Sequence, residues 1–260
     1  MRRVNIDGLL FDDVTMDEAT ARIVELAKMR DQPRYVCTGN LDHLAIAAED
    51  VEFRRAYENA DLVVADGAPV VWLARLGGAP LRERVAGSDL FWNLGPASAE
   101  HGIRLFLLGG APGAADVAKA ILELRYPGAQ VVGTCCPPVT RFGTREVQDR
   151  IAEVIRSAKP DVLLVALGAP KQEKWIAANK DRVGVPVAIG VGAAFDMASG
   201  IVQRAPRWMQ TWGLEWSYRF AQEPRRLFRR YFVRDLPHLV KAAARIVAAR
   251  PGLGAPGVSR

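Results

Sequence analysis

Three short runs in this chain are apolar at nearly every position: LFLL at 105–108, VLLVAL at 162–167 and VAIGV at 187–191. A strand with one wet face alternates apolar and polar residues, whereas a strand buried on both faces does not. Longer stretches with helical periodicity separate the runs. That alternation predicts an α/β fold, a mostly parallel sheet with helices on both faces. The other strands of the series are RYVCT at 34–38, LVVAD at 62–66 and QVVGT at 130–134. A capping box of Thr15 and Glu18 opens the first helix. Further helices are expected over Asp42–Ala60, Val70–Leu76, behind Ser88 as N-cap, through 111–126, over Thr144–Ala158 and through 171–180. A Pro-rich loop at Pro137 and Pro138 precedes Thr144.

The pattern changes near Gly200. Residues 1–200 read as the α/β body, 201–248 as a helical appendage rich in Arg, Trp and Phe, and the Gly/Pro-rich 249–260 as a disordered tail. Charge divides at the same place. Residues 201–260 hold twelve Lys and Arg against three Asp and Glu, a net +9, so the whole chain's +6 leaves −3 on the body.

Several classes fall away. The cysteines (Cys37, Cys135, Cys136) are too few for a disulfide scaffold and lack zinc-site spacing, so reduced thiols in a cytosolic compartment are expected. Asp7, Asp12 and Asp13 interrupt the N-terminus, arguing against a secretory signal. The longest apolar run, Val185 to Phe195, is too short to span a bilayer, so membrane contact should be peripheral.

Ligands of an open parallel sheet bind beyond the carboxyl ends of its strands. Those ends present Thr38, Asn40 and Asp42; then Asp66; then the GGAPG turn with Gly109 and Gly110; and then Gly168, Lys171 and Gln172. GVGAAFD, with Gly192 and Asp196, ends the last strand and could face the same ligand. Glycines before a helix N-terminus let a phosphate approach the backbone, but they also serve simply to turn the chain, and both readings stay open for GGAPG. Asp66, at the mouth of the sheet, suits a general base; capping the next helix is the plainer alternative. Asp42 and Asp89 read more as helix-start residues. His43, His101 and His238 show no partner pattern.

Taken as a helix from Pro224, residues 225–234 place Arg225, Arg226, Arg229, Arg230 and Arg234 on one half and mostly aromatic residues on the other. Such a helix suits an anionic bilayer interface. Trp208, Trp212, Trp216 and Phe220, spaced by four, form a stripe that reads as core packed on the body, with lipid contact as the alternative.

TGNLDH, ADLVVADGAPVVWLARLGG, ERVAGSD, LFLLGGAPG, PDVLLVALGAPKQEKWI, VAIGVGAAFDMASG and RAPRWMQTWGLEWSYRFAQEPRR together resemble the WecG/TagA/CpsF glycosyltransferases, from about Asn5 to Arg234. The resemblance implies a Rossmann-like body with a membrane-docking C-terminal appendage. It implies inverting, metal-independent transfer from a UDP-sugar to a polyprenyl-diphosphate-linked saccharide, with no cofactor, on the inner face of the cytoplasmic membrane. It puts the catalytic base at Asp66 and active-site polar groups at Thr38, Asn40 and Gln172. It puts the acceptor diphosphate at Arg219, Arg226 and Arg229, and the nucleotide near Gly109, Gly110, Gly168, Lys171 and Gly192. Gly39 departs from the family pattern, where Ala or Pro is common, which should loosen that turn. The donor sugar is left open among N-acetylmannosamine, its uronic acid and glucose types, and homo-oligomerisation is equally open. A nucleotide-binding oxidoreductase would need a G-x-G-x-x-G turn that is missing. A nucleic-acid-binding protein would leave the strand-end residues without a role, so no nucleic-acid partner is expected.

Overall fold

The computed structural model describes residues 1–137 and 142–249. The Pro138 part of the expected loop, and all but the first residue of the expected tail, lie outside the described residues. The chain opens with an antiparallel hairpin, β1 (Arg3–Ile6) and β2 (Leu9–Asp12). Its turn is Asp7-Gly8, with φ of 50° and 94°. Positive φ at both turn residues matches the right-handed twist of a hairpin, and Asp-Gly tolerates it. This hairpin is absent from the sequence reading, which took Asp7 only as an interruption of an apolar run.

The main sheet holds β3 (Arg34–Gly39), β4 (Leu62–Ala65), β5 (Arg104–Gly109), β6 (Gln130–Cys135), β7 (Val162–Ala166) and β8 (Val187–Gly190). Its order is β4-β3-β8-β7-β5-β6, and every pair is parallel. The apolar runs are central strands, as expected. One face packs Cys37, Val63, Phe106, Leu163 and Ala188 into a first core; the other packs Val36, Val64, Leu107, Leu164 and Ile189 into a second.

Around the sheet lie α1 (Met16–Met29), α2 (Leu41–Glu49), α3 (Val51–Glu58), α4 (Ala68–Leu76), α5 (Gly87–His101), α6 (Ala114–Arg125), α7 (Arg145–Ala158), α8 (Lys171–Val183) and α9 (Ala194–Ala198). Thr15 and Glu18 form the expected capping box on α1. The single helix expected over Asp42–Ala60 is two, because Asp50 leaves the helical conformation and its side chain caps α3 through Phe53 N. Ser88 is not an N-cap; the cap position is Ala86, two residues earlier, and α5 begins at Gly87.

The C-terminal part holds α10 (Arg207–Thr211), α11 (Glu215–Gln222), α12 (Pro224–Phe228), a π-helical stretch (Arg229–Asp235) and α13 (Leu236–Ala248). The pattern changes near residue 200, but packing crosses that point. Ala242 of α13 is fully buried in the first core, with Leu239, Ala243 and Ile246 against it. His238 and Arg245 both pair with Asp7 in the hairpin turn, at 2.8 and 2.7 Å.

Candidate active site

Because all six main strands run the same way, their carboxyl ends share one edge. A cleft of about 610 Å³ opens there. Thr38 and Asn40 come from the end of β3, Asp66 from β4, Gly110 from β5, Gly168 and Gln172 from the β7–α8 turn, and Gly192 from the end of β8. Trp216, Arg219, Arg226, Arg230 and Tyr231 of the C-terminal helices close the opposite wall. The cleft therefore joins the body to the appendage.

Asp66 follows β4 directly and is partly buried. Its Oδ2 accepts a hydrogen bond from Gly87 N at 3.2 Å. Burial raises its pKa from 3.8 to about 6; Arg84 and the Gly87 bond oppose the shift, while Glu215 and Asp89 add to it. A carboxylate of that strength is still mostly ionised at neutral pH and is a better proton acceptor than an ordinary aspartate. It does not cap the next helix: Gly67 is the cap residue of α4 and makes no side-chain cap bond.

Thr38 and Gln172 hold the end of β8 from two sides. Thr38 Oγ1 donates to Gly190 O at 2.7 Å, and Gln172 Oε1 accepts from Gly192 N at 3.1 Å. A Cβ on Gly190 would lie 2.8 Å from Gln172 Nε2, so that strand end must be bare for the amide to fit. Asn40 caps α2, its Oδ1 accepting from His43 N at 3.3 Å.

The glycine turn divides by role. Gly110 lines the cleft, but Gly109 does not. A Cβ on Gly109 would sit 2.5 Å from Ala166 O, so this glycine lets β5 approach β7. Asp196 also lines the cleft, and its Oδ1 accepts from Ala111 N at 2.8 Å, so a carboxylate already meets this turn. Lys171 is exposed and lies outside the cleft lining.

The arginines divide too. Arg219 reaches the cleft with its buried Nε lacking a hydrogen-bond partner among the described residues. Arg226 reaches it while paired with Glu223. Arg229 is exposed and not part of the lining. Arg230 and Arg234, expected on the lipid-facing half, both pair with the buried Asp42 and with Asp235. The α-helical wheel misplaces them because the chain widens to π geometry at Arg229, where bonds run i to i+5 rather than i to i+4. The aromatic stripe is not core either: Trp208, Trp212 and Trp216 are 60, 75 and 43% exposed. The stripe also breaks at Gly213, with φ 72°.

Arg84 was missed. It lines the cleft 3.5 Å from both Asp89 and Glu215, and its charge acts on Asp66. It lies in the irregular segment between α4 and α5, where periodicity says nothing. Its only signal was its place in the family-like stretch ERVAGSD.

Residues 4–251 match the Glycosyl transferase WecG/TagA/CpsF family. The chain belongs to this family. Among named relatives of this glycosyltransferase, an N-acetylglucosaminyldiphosphoundecaprenol N-acetyl-beta-D-mannosaminyltransferase of Bacillus subtilis (strain 168) is 34% identical, over 73% of this chain and 72% of its own. Proteins of the same description from Bacillus spizizenii and Staphylococcus aureus (strain MW2) are 31 and 27% identical. Each of those two matches covers 87% of this chain, with 86 and 87% of the relatives' own lengths. For a WecG/TagA/CpsF glycosyltransferase, a basic carboxylate facing arginines across one cleft is a workable arrangement: one group takes a proton and the others meet anionic oxygens.

Proposed function

We propose that this chain transfers a sugar of the N-acetylmannosamine type from a UDP-sugar to a polyprenyl-diphosphate-linked N-acetylglucosamine, with inversion. The observation that carries the reading is the placement of Asp66, with its raised pKa, in a cleft whose far wall is arginine. The names of the relatives supply the sugars.

Asp66 takes the proton from the acceptor hydroxyl. That oxygen attacks the anomeric carbon as the bond to UDP breaks on the opposite face, and UDP leaves with the bonding pair. Arg84 and cleft-lining N–H groups meet the charge that develops on the departing diphosphate. Thr38 and Gln172 hold the β8 end in place, and Asn40 fixes the start of α2. Gly110, Gly168 and Gly192 are the turns that face the nucleotide. Gly109 and Lys171 support that region from outside the lining. Arg219 and Arg226 hold the acceptor diphosphate, which in the apposed wall excludes water from the donor. Arg229 serves the lipid side rather than the cleft.

The same reading places the outer surface of the appendage on a membrane. Among the described residues, no helix is long and apolar enough to cross one. Trp208, Trp212, Phe228 and Val233 are each at least half exposed, with Arg225 and Arg229 exposed beside them. An apolar surface edged by arginine fits the headgroup region of an anionic leaflet, here the inner face of the cytoplasmic membrane.

The test is transfer by the purified protein from a panel of UDP-sugars, N-acetylmannosamine included, to a short-chain polyprenyl-diphosphate-linked N-acetylglucosamine. Released UDP and product mass are the readouts. A disaccharide product with the N-acetylmannosamine donor is expected; no product with any donor would overturn the reading.

A further inference from the structure

Behind the cleft wall lies a buried polar group that the reaction above does not use. Glu173, the residue after Gln172 on α8, is 1% exposed. Its Oε1 accepts a hydrogen bond from Gln172 Nε2 at 2.7 Å. Its Oε2 is buried with no hydrogen-bond partner among the described residues. Nearby, His43 Nδ1 is 3.9 Å from Glu173 Oε1 and bonds to the Tyr57 hydroxyl. Cys37 of β3, Asp42 and His43 of α2 and Tyr57 of α3 are the titratable groups around it. Burying a carboxyl group this deeply with one oxygen unpartnered is costly, and the one ion-pair partner in reach among the described residues, His43, is kept neutral, burial lowering its pKa to about 3.

A carboxamide presents an oxygen at one end and a nitrogen at the other, and its direction is set by its neighbours. Gln172 has one neighbour of each kind. Gly192 N can only donate, so it takes Oε1. An ionised Glu173 can only accept, so it takes Nε2. A glutamine at 173 could offer either atom and would leave the selection to Gly192 N alone. With both ends fixed, one Nε2 hydrogen remains to Gln172, which lines the cleft.

We propose that Glu173 is a positioning residue: by accepting from Gln172 Nε2 it fixes which way the Gln172 carboxamide faces, and so fixes the Gly192 turn and the one remaining amide hydrogen at the cleft wall. This rests on the transferase reading of the cleft. Burial raises the Glu173 pKa from 4.5 to about 7, with the Gln172 bond opposing the shift. The selecting, ionised form therefore gains population as pH rises through neutrality.

The experiment is a double-mutant cycle on the full-length protein, with UDP-N-acetylmannosamine and the short-chain lipid acceptor as probes. Glu173→Gln should lower kcat/KM about tenfold in the otherwise unaltered protein, and less than twofold in the Gln172→Ala background. Equal losses in both backgrounds would show a merely structural role and overturn the proposal, as would an unaltered kcat/KM. If Glu173→Gln fails to fold, Glu173→Met removes the acceptor within an apolar-tolerant volume and is read in the same cycle. An unmodified protein inactive on this donor and acceptor would count against the transferase reading instead. In that event the cycle is run on UDP affinity, where loss in only the Gln172 background supports the positioning role and equal loss in both overturns it.

Discussion

Asp66 is partly buried, and among the described residues no ion pair holds it. Asp42 by contrast has Arg230 and Arg234, and Asp89 has Arg204. As the base, Asp66 should give the rate an acidic limb with a midpoint near its raised pKa of about 6. A rate that stays flat down to pH 4.5 would remove it from that role. Asp66→Asn should cut turnover by about 10²–10⁴-fold while UDP still binds. The same group makes a stability prediction with a definite sign. Its folded pKa is raised above the ordinary 3.8, so its stabilising contribution is whole below 3.8 and is lost as pH rises through about 6. Asp66→Asn should therefore melt higher than the unaltered protein at pH 8, by about 2–4 °C for each kcal/mol recovered, with the gain vanishing near pH 3.5. Position at a strand end made the place of Asp66 in the cleft readable from sequence. The place of Arg84 was not, because it comes from where an irregular segment passes.

At the scale of elements, the strands were legible because burial on both faces leaves a mark that needs no partner to interpret. The hairpin and the π-helical stretch were not. The hairpin's signal is two residues long, and the π geometry changes which arginines share a face without changing composition. Gly39 shows how a neighbour decides. Read alone, it should loosen the turn after β3. In the fold a Cβ there would lie 2.6 Å from Phe11 Cε1 of β2 and 3.2 Å from Tyr57 Cε1, so the glycine makes room for rings. Gly39→Ala should then destabilise by about 1–3 kcal/mol through overpacking. Adding Phe11→Leu should recover part of the loss, a non-additivity that chemical denaturation can measure. If Gly39→Ala melts at or above the unaltered protein, the ring contacts do not limit this turn.

For the whole molecule, the split between a −3 body and a +9 C-terminal part gains a structural meaning. Asp7, Asp42 and Asp89 of the body receive His238 and Arg245, Arg230 and Arg234, and Arg204 of the appendage. Part of the positive charge thus fastens the appendage to the body and is not available to lipid. Deleting residues 201–260 would also strip α13 from the first core, so the membrane role is better tested on the surface. Trp208→Ser, Trp212→Ser and Val233→Ser together should weaken binding to phosphatidylglycerol-containing vesicles by about tenfold or more. The melting temperature and UDP affinity should stay as they are; unaltered vesicle binding would mean that this face does not meet lipid. The Asp7 contacts also set a timetable for biosynthesis. Asp7 and Arg245 are 238 positions apart. At about 5–20 residues per second, the hairpin leaves the ribosome roughly 12–48 s before the helix that locks it. During that interval the nascent chain carries a first core still open on the side that Ala242 will fill, a surface for chaperones to guard.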